Sequence, residues 1–311
     1  MHSRLGEFEL IQQFFHRQMC RSDILTGIGD DAAVVVPTAG ETLLVCTDTM
    51  VSGRHFFAEA DPQSVGWKLL AVNLSDMAAM GGIPQWATLA LTLPEADTAW
   101  LGGFANGFFA LAERFGVALV GGDTTCGPLT LSLTLLGKAP PEQVIRRSGA
   151  HPGDGIYVSG YPGEAACALD CLCKQRQPEA EHRRRLEYPE PRVALGVELR
   201  RCATAAIDVS DGLLQDLQHL LQASGVGAVI DRQALPLRKN VNPDRRPQLQ
   251  QILGGGDDYE LLFTLPASEE VQGSVDCPVH CIGRIEARQG MRWLDTGALI
   301  DERLLQGFRH F

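Results

Sequence analysis

The sequence lacks a long apolar run, a Cys-x-x-Cys pair and an excess of positive charge, and each absence removes a class of protein. No stretch approaches the ~18 consecutive apolar residues of a membrane-crossing helix, so no membrane partner is expected. The opening residues, Met1-His2-Ser3-Arg4-Leu5-Gly6-Glu7-Phe8, carry no apolar secretion-signal core, which points to a cytoplasmic protein. The nine cysteines are scattered. Cys167, Cys171 and Cys173 fall on one expected helix and Cys277 and Cys281 bracket His280, but the four-ligand spacing of a structural zinc site is missing. Reduced, mostly buried thiols are the expectation. With 27 Lys and Arg against 38 Asp and Glu, the net charge of −11 argues against a nucleic-acid or anionic-membrane surface. Such a protein binds phosphate where metal ions or backbone amides mask the repulsion.

Three catalytic signatures are also missing. The only Gly-Lys pair, Gly137-Lys138, runs into Ala139 without the preceding glycine of a P-loop. Neither the protein-kinase set nor a Gly-x-Ser-x-Gly elbow appears. Any nucleotide chemistry must use another mode.

What is present is an ordinary globular composition, 45% hydrophobic and 21% charged over 311 residues, long enough for two domains. Helical spacing marks 8–15, 61–80 and 97–116 in the first half, with strands at 34–36, 41–51, 86–93, 117–120 and 129–136. Pro- and Gly-rich sequence over 139–154 marks the domain boundary, giving 1–140 and 141–311. Beyond it, strands are expected at 156–159, 205–209, 226–230 and 261–265. Helices are expected at 164–175, 192–202, 212–222 and near the C-terminus, with 177–191 an exposed charged loop. The fold class is α/β with mixed sheets.

Five short acidic punctuations interrupt this pattern. They are Gly29-Asp30-Asp31, Thr47-Asp48-Thr49, Asn73-Leu74-Ser75-Asp76, Gly121-Gly122-Asp123 and Asp208-Val209-Ser210-Asp211-Gly212. A desolvated carboxylate costs several kcal/mol unless a cation or hydrogen bonds offset it. Asp beside Gly is an ordinary turn or cap signal one site at a time. Five such sites beside apolar runs point instead to shared magnesium ions, which take few protein oxygens each. Asp30, Asp48, Asp76, Asp123, Asp208 and Asp211 are the candidate ligands, with Thr47 adding a hydroxyl or carbonyl. Gly121 and Gly122 offer amides to a phosphate, Arg147 a guanidinium fork and His55 a hydrogen bond.

Gly-Ile-Gly-Asp-Asp-Ala-Ala (27–33), Thr-Asp-Thr-Met-Val-Ser-Gly-Arg-His-Phe (47–56), Asn-Leu-Ser-Asp-Met-Ala-Ala-Met-Gly-Gly (73–82) and Gly-Gly-Asp-Thr-Thr (121–125) together resemble the thiamine-monophosphate kinase family. So do Arg-Ser-Gly-Ala-His-Pro-Gly-Asp (147–154), Asp-Val-Ser-Asp-Gly-Leu (208–213) and Asp-Asp-Tyr-Glu-Leu-Leu-Phe (257–263). The last departs from the family's Glu-Asp-Tyr-Glu form. The resemblance implies an aminoimidazole-ribonucleotide-synthetase-like fold whose N-terminal domain dimerises through its sheet. It implies phosphorylation of thiamine monophosphate by ATP with several Mg2+ ions. It assigns Asp30, Thr47, Asp48, Asp76, Asp123, Asp208 and Asp211 to metal, and Gly122, Arg147 and Ser210 to ATP. His55, Glu260 and Phe308 fall to the substrate. A phosphate acceptor is already ionised, so direct in-line transfer needs neither general base nor covalent nucleophile. The alternatives are a sister ATP-dependent enzyme of the same superfamily, or a nucleotide-binding protein without catalysis.

Overall fold

A computed structural model describes residues 6–17, 21–239, 241–301 and 304. The chain falls into two units, Met1–Met77 with Gly82–Glu142, and Ala78–Gly81 with Gln143–Phe311.

The first unit begins with α1 (Glu7–Leu10), continued as a π-helical turn over Ile11–Phe15, with Leu10 and Phe15 turned inward. Two short strands, β1 (Ile24–Thr26) and β2 (Val34–Val35), pair antiparallel. Then follow β3 (Thr42–Val51), α2 (Pro62–Ala79), β4 (Ile83–Leu93), α3 (Thr98–Phe115), β5 (Ala118–Cys126) and β6 (Thr130–Ala139). The four long strands form one sheet in the order β3-β6-β4-β5, antiparallel except for the β4/β5 pair.

Alternation gives this sheet two unlike faces. Leu44 and Met50 of β3, Leu131, Leu133 and Leu135 of β6, and Leu89 and Leu91 of β4 are buried on one. There α2 lies close enough for the Cys46 thiol to reach the Asn73 carbonyl at 3.5 Å. Helix α3 starts on an Asp97 cap that accepts from the amides of Ala99 and Trp100, and stops at Gly116 with φ 65°. The other face carries Leu43, Val45, Thr47 and Thr49 of β3, all exposed. β5 was expected to end at Val120 and runs on to Cys126. It does so across a bulge, because Leu119 pairs with Ala87 and Gly121 with Thr88, leaving Val120 without a partner.

The second unit contains β7 (Gly155–Ser159), α4 (Glu164–Cys173), α5 (Ala180–Glu187), α6 (Val193–Leu199), β8 (Ala205–Val209), α7 (Leu213–Ser224), β9 (Gly227–Ile230), α8 (Leu249–Gly254), β10 (Glu260–Leu265), β11 (Val279–Glu286) and β12 (Gly290–Trp293). Its six-stranded sheet has the order β12-β9-β11-β7-β10-β8, antiparallel except for β12/β9. Leu213, Leu214, Leu217, Leu220 and Leu221 of α7 pack into one core with Ile156, Val158, Ile207, Val209 and Leu262. Burying side chains of this size contributes about 1.5–3 kcal/mol each, before chain entropy is counted.

The charged stretch expected as an exposed loop over 177–191 instead contains α5. Leu186 packs with Ala165 and Ala168 of α4, and His182 is 1% exposed. The two buried positions sit four apart on one face, a stripe too narrow to stand out among the arginines and glutamates around it. The expected C-terminal helix and Phe308 lie outside the described residues.

Candidate functional site

In the first unit, Asp30, Asp31, Gly121, Gly122 and Asp123 line one cavity of about 760 Å³. Gly29, at φ 123°, turns the chain ahead of the acidic pair, and the Asp31 amide donates to the Asp30 carboxylate at 2.9 Å. Asp30, Asp31 and Asp123 are all exposed. Gly122 has φ 149°, and a Cβ there would lie 1.9 Å from the Leu89 carbonyl oxygen, so the backbone approach requires glycine. Thr88 and Thr124 also line the cavity.

Asp48 is placed differently. It pairs with Leu133, whose β4 partner is Leu89, and both leucines are buried. Its half-buried carboxyl therefore lies on the helix-facing side of the sheet, and burial pushes its pKa upward. Thr47 faces the opposite way, its hydroxyl bonded to that of Thr134 at 2.9 Å. The side chains of these two expected partners are thus on opposite faces of β3. Asn73, 0% exposed, donates to the Leu69 carbonyl and belongs to the core, whereas Asp76 on the same helix is partly exposed. His55 closes a turn after β3, where its Nδ1 accepts from the Val51 amide at 3.0 Å. That bond puts the proton of the neutral ring on Nε2.

In the second unit, β8 delivers Asp208, 5% exposed, and leads through partly exposed Ser210 and Asp211 into α7. Asp216, in the first turn of α7, is the residue that sequence reasoning passed over. Its Oδ2 accepts from the amides of Ser210, Asp211 and Gly212 at 3.0, 3.1 and 3.1 Å. Burial and the carboxylates of Asp208 and Asp211 push it up to about 7 despite those amides. The available signal was an acid one turn past the Asp-Val-Ser-Asp-Gly run, where a side chain can reach back to the helix start. Gln215 donates to the Asp211 carboxylate at 3.1 Å. Arg147 is exposed.

Ahead of the 257–263 segment lie Gly254, Gly255 and Gly256, but they do not carry the tight backbone. The left-handed residues are Asp257 at φ 68° and Tyr259 at φ 50°, and the Tyr259 hydroxyl donates to Asp257 at 3.0 Å. Asp258 accepts from the Gly163 amide at the start of α4, and burial raises its pKa well above the usual carboxylate range. Glu260, 3% exposed, is gripped by Arg192 at 2.6 and 2.5 Å and by the Ser159 hydroxyl. Burial opposes its ionisation, but Arg192 outweighs this and holds the pKa below the ordinary value. Glu260 is thus clamped as an internal ion pair.

Among the described residues, no three His, Cys, Asp or Glu side chains converge in a metal-holding group. The oxygen donors nevertheless suit a hard divalent cation: several carboxylates, partly exposed, beside glycine backbone. None of the eight described cysteines is in a disulfide, and against the expectation of mostly buried thiols only Cys167 is buried; no described helix is long and apolar enough to cross a membrane.

Residues 29–139 match the family described as "AIR synthase related protein, N-terminal domain". The thiamine-monophosphate kinase of Salmonella typhimurium is 43% identical over 321 residues, covering 98% of each chain. The solved thiamine-monophosphate kinase from Stenotrophomonas maltophilia superposes with a TM-score of 0.82 at 46% identity, covering 89% of this chain and 93% of that one. AaThiL complexed with AMPPCP and TMP gives 0.78 at 30% identity, covering 89% of each. The mixed α/β architecture, the acidic punctuations in their order and this near full-length likeness agree: the chain belongs to the thiamine-monophosphate kinase family.

Proposed function

We propose that the protein transfers the γ-phosphoryl group of ATP to thiamine monophosphate, giving thiamine diphosphate and ADP. The observation that carries this reading is the cavity where Asp30, Asp31 and Asp123 meet the Gly121-Gly122 backbone. It combines carboxylates with exposed main chain, the pairing a triphosphate and its cations require. An oxygen of the acceptor phosphate attacks the γ-phosphorus while the bond to the β,γ-bridging oxygen breaks, and ADP leaves with that electron pair. The nucleophile is already an anion, so no side chain removes a proton and none becomes phosphorylated.

Magnesium fits the donor set. Asp30, Asp48, Asp76 and Asp123 would hold it in the first unit, with the Thr47 carbonyl a further oxygen donor, and Asp208 and Asp211 are donors of the same kind in the second unit. Bound there, it neutralises charge on the phosphate oxygens. Gly121 and Gly122 present backbone to the phosphates, Arg147 offers its fork, and Ser210 a hydroxyl. His55 donates from Nε2 to the acceptor's phosphate. Glu260, already clamped by Arg192, shapes the second unit, and Phe308 contacts the thiamine portion. The protein works as a homodimer that covers the exposed β3 side of the first unit's sheet, and it acts in the cytoplasm.

The test is an acceptor screen with ATP and magnesium. Thiamine monophosphate should yield thiamine diphosphate, free thiamine should yield nothing, and omitting magnesium should abolish turnover. Equal use of free thiamine would overturn the acceptor assignment.

A further inference from the structure

We infer that Asp216 is a positioning residue for nucleotide binding, holding Ser210 and Asp211 in place through three backbone amides that converge on one carboxylate oxygen. The inference rests on the reading above in one respect only, that Ser210 and Asp211 face the nucleotide and its cations.

Between β8 and α7 the chain runs through Ser210, Asp211 and Gly212, and Gly212 is the residue that precedes the helix. Glycine has no side chain with which to cap the helix, and here it sits at φ 138°. Asp216 supplies the missing acceptor from within the first turn. Its Oδ2 gathers the amides of Ser210, Asp211 and Gly212, all between 3.0 and 3.1 Å. The opposite side of the loop is held by the segment from Gly256 to Tyr259. The Asp257 amide donates to the Ser210 carbonyl at 2.9 Å, and the Tyr259 amide donates to the Val209 carbonyl at 2.8 Å. A Cβ on Gly256 would lie 2.6 Å from that same Ser210 carbonyl oxygen, so this side has no slack.

Ser210 thus has its amide tied to Asp216 and its carbonyl tied to Asp257. The loop backbone is occupied, and the side chains of Ser210 and Asp211 are left partly exposed. Asp216 itself is 3% exposed and touches the loop only through main-chain donors. It therefore acts through Ser210 and Asp211 rather than on a substrate. An ordinary helix cap would stabilise α7 without changing how a nucleotide binds. The two roles separate in the kinetics.

The experiment compares Asp216→Ala and Asp216→Asn in the full chain. Asn keeps a carbonyl oxygen that can accept, whereas Ala leaves three amides without an acceptor. KM for ATP should rise about tenfold in Ala, the size expected from leaving buried backbone donors without an acceptor, and stay within about threefold of wild type in Asn. KM for thiamine monophosphate should change less than about twofold in both, since the loop is not assigned to that substrate. Unchanged KM for ATP in Ala, or a loss confined to kcat that tracks the melting temperature, would overturn the inference. If Ala does not fold, Asp216→Glu replaces it, because the longer side chain keeps the charge but displaces the oxygen, and the same tenfold rise is expected. Calorimetric titration of each protein with magnesium and AMPPCP gives the same comparison without turnover. Wild type that binds AMPPCP but makes no thiamine diphosphate would defeat the kinase reading and still let the binding series decide the role of Asp216.

Discussion

Glu260 shows how one residue type serves opposite ends. Its motif suggested a side chain reaching for substrate, yet both carboxylate oxygens are taken by Arg192 and one also by Ser159. Replacing it by Gln leaves the buried Arg192 guanidinium without its counter-charge. We expect Glu260→Gln to lower unfolding stability by about 3–5 kcal/mol, measured by denaturant titration at neutral pH. The pH profile should change as well. The folded carboxyl titrates below its ordinary 4.5, so the unfolded chain binds more protons in acid. The stabilisation is therefore complete above pH 4.5 and lost as pH falls through the folded value, a fall that the variant should lack. At this scale the sequence was legible in the placement of some acids. Asp30 and Asp123 lie beside one cavity, as acids next to glycines suggested. Asp216 escaped because its role depends on three amides from residues preceding its helix, a relation that spacing does not display.

Helices α2 and α3 meet backbone to backbone. A Cβ on Gly66 would lie 2.0 Å from the Phe104 carbonyl oxygen, and one on Gly107 1.8 Å from that of Gln63. In an exposed helix, Gly→Ala gains roughly 1 kcal/mol from propensity. Here overpacking outweighs that gain, and Gly66→Ala should destabilise by about 2 kcal/mol, read as a lowered midpoint of chemical unfolding. Most long elements were readable because their apolar period is strong: α3 buries Leu101, Phe104, Phe108 and Leu111, as its spacing predicts. Helix α5 was not, since its buried face is only His182 and Leu186. Nor was the continuation of β5, whose Gly121-Gly122 reads locally as a strand stop. Tertiary pairing with β4 overrides the low strand propensity of glycine there.

In the first unit Ile24, Ala33 and Val35 cover the sheet face at Trp86, Ala118 and Val120, while the β3 side of that face is exposed, and β3 is an edge strand of ten residues. Leu43 is 44% and Val45 59% exposed on that face, next to a polar strip in which Thr47 bonds Thr134 and Thr49 bonds Ser132. An exposed edge of this length is a ready surface for association. If a second copy covers it, light scattering should give twice 33.7 kDa, and Val45→Glu should reduce the mass to 33.7 kDa. The mixed α/β class was visible in the alternation of apolar periods. The strand orders of the two sheets were not, because they depend on contacts distant in sequence.

The unmatched Val120 has a consequence for chemistry. With a strictly paired strand, Asp123 would stand opposite Leu91, which is 2% exposed, and its carboxylate would be driven among the leucines beneath α2. The extra residue shifts the phase by one, so Asp123 stands opposite Ala90, in line with Ser132 and Thr49 on the watered side. A single surplus amino acid thus decides whether that acid faces the leucines or the water, and losing any one residue between Leu119 and Asp123 would undo the arrangement without touching the acid itself.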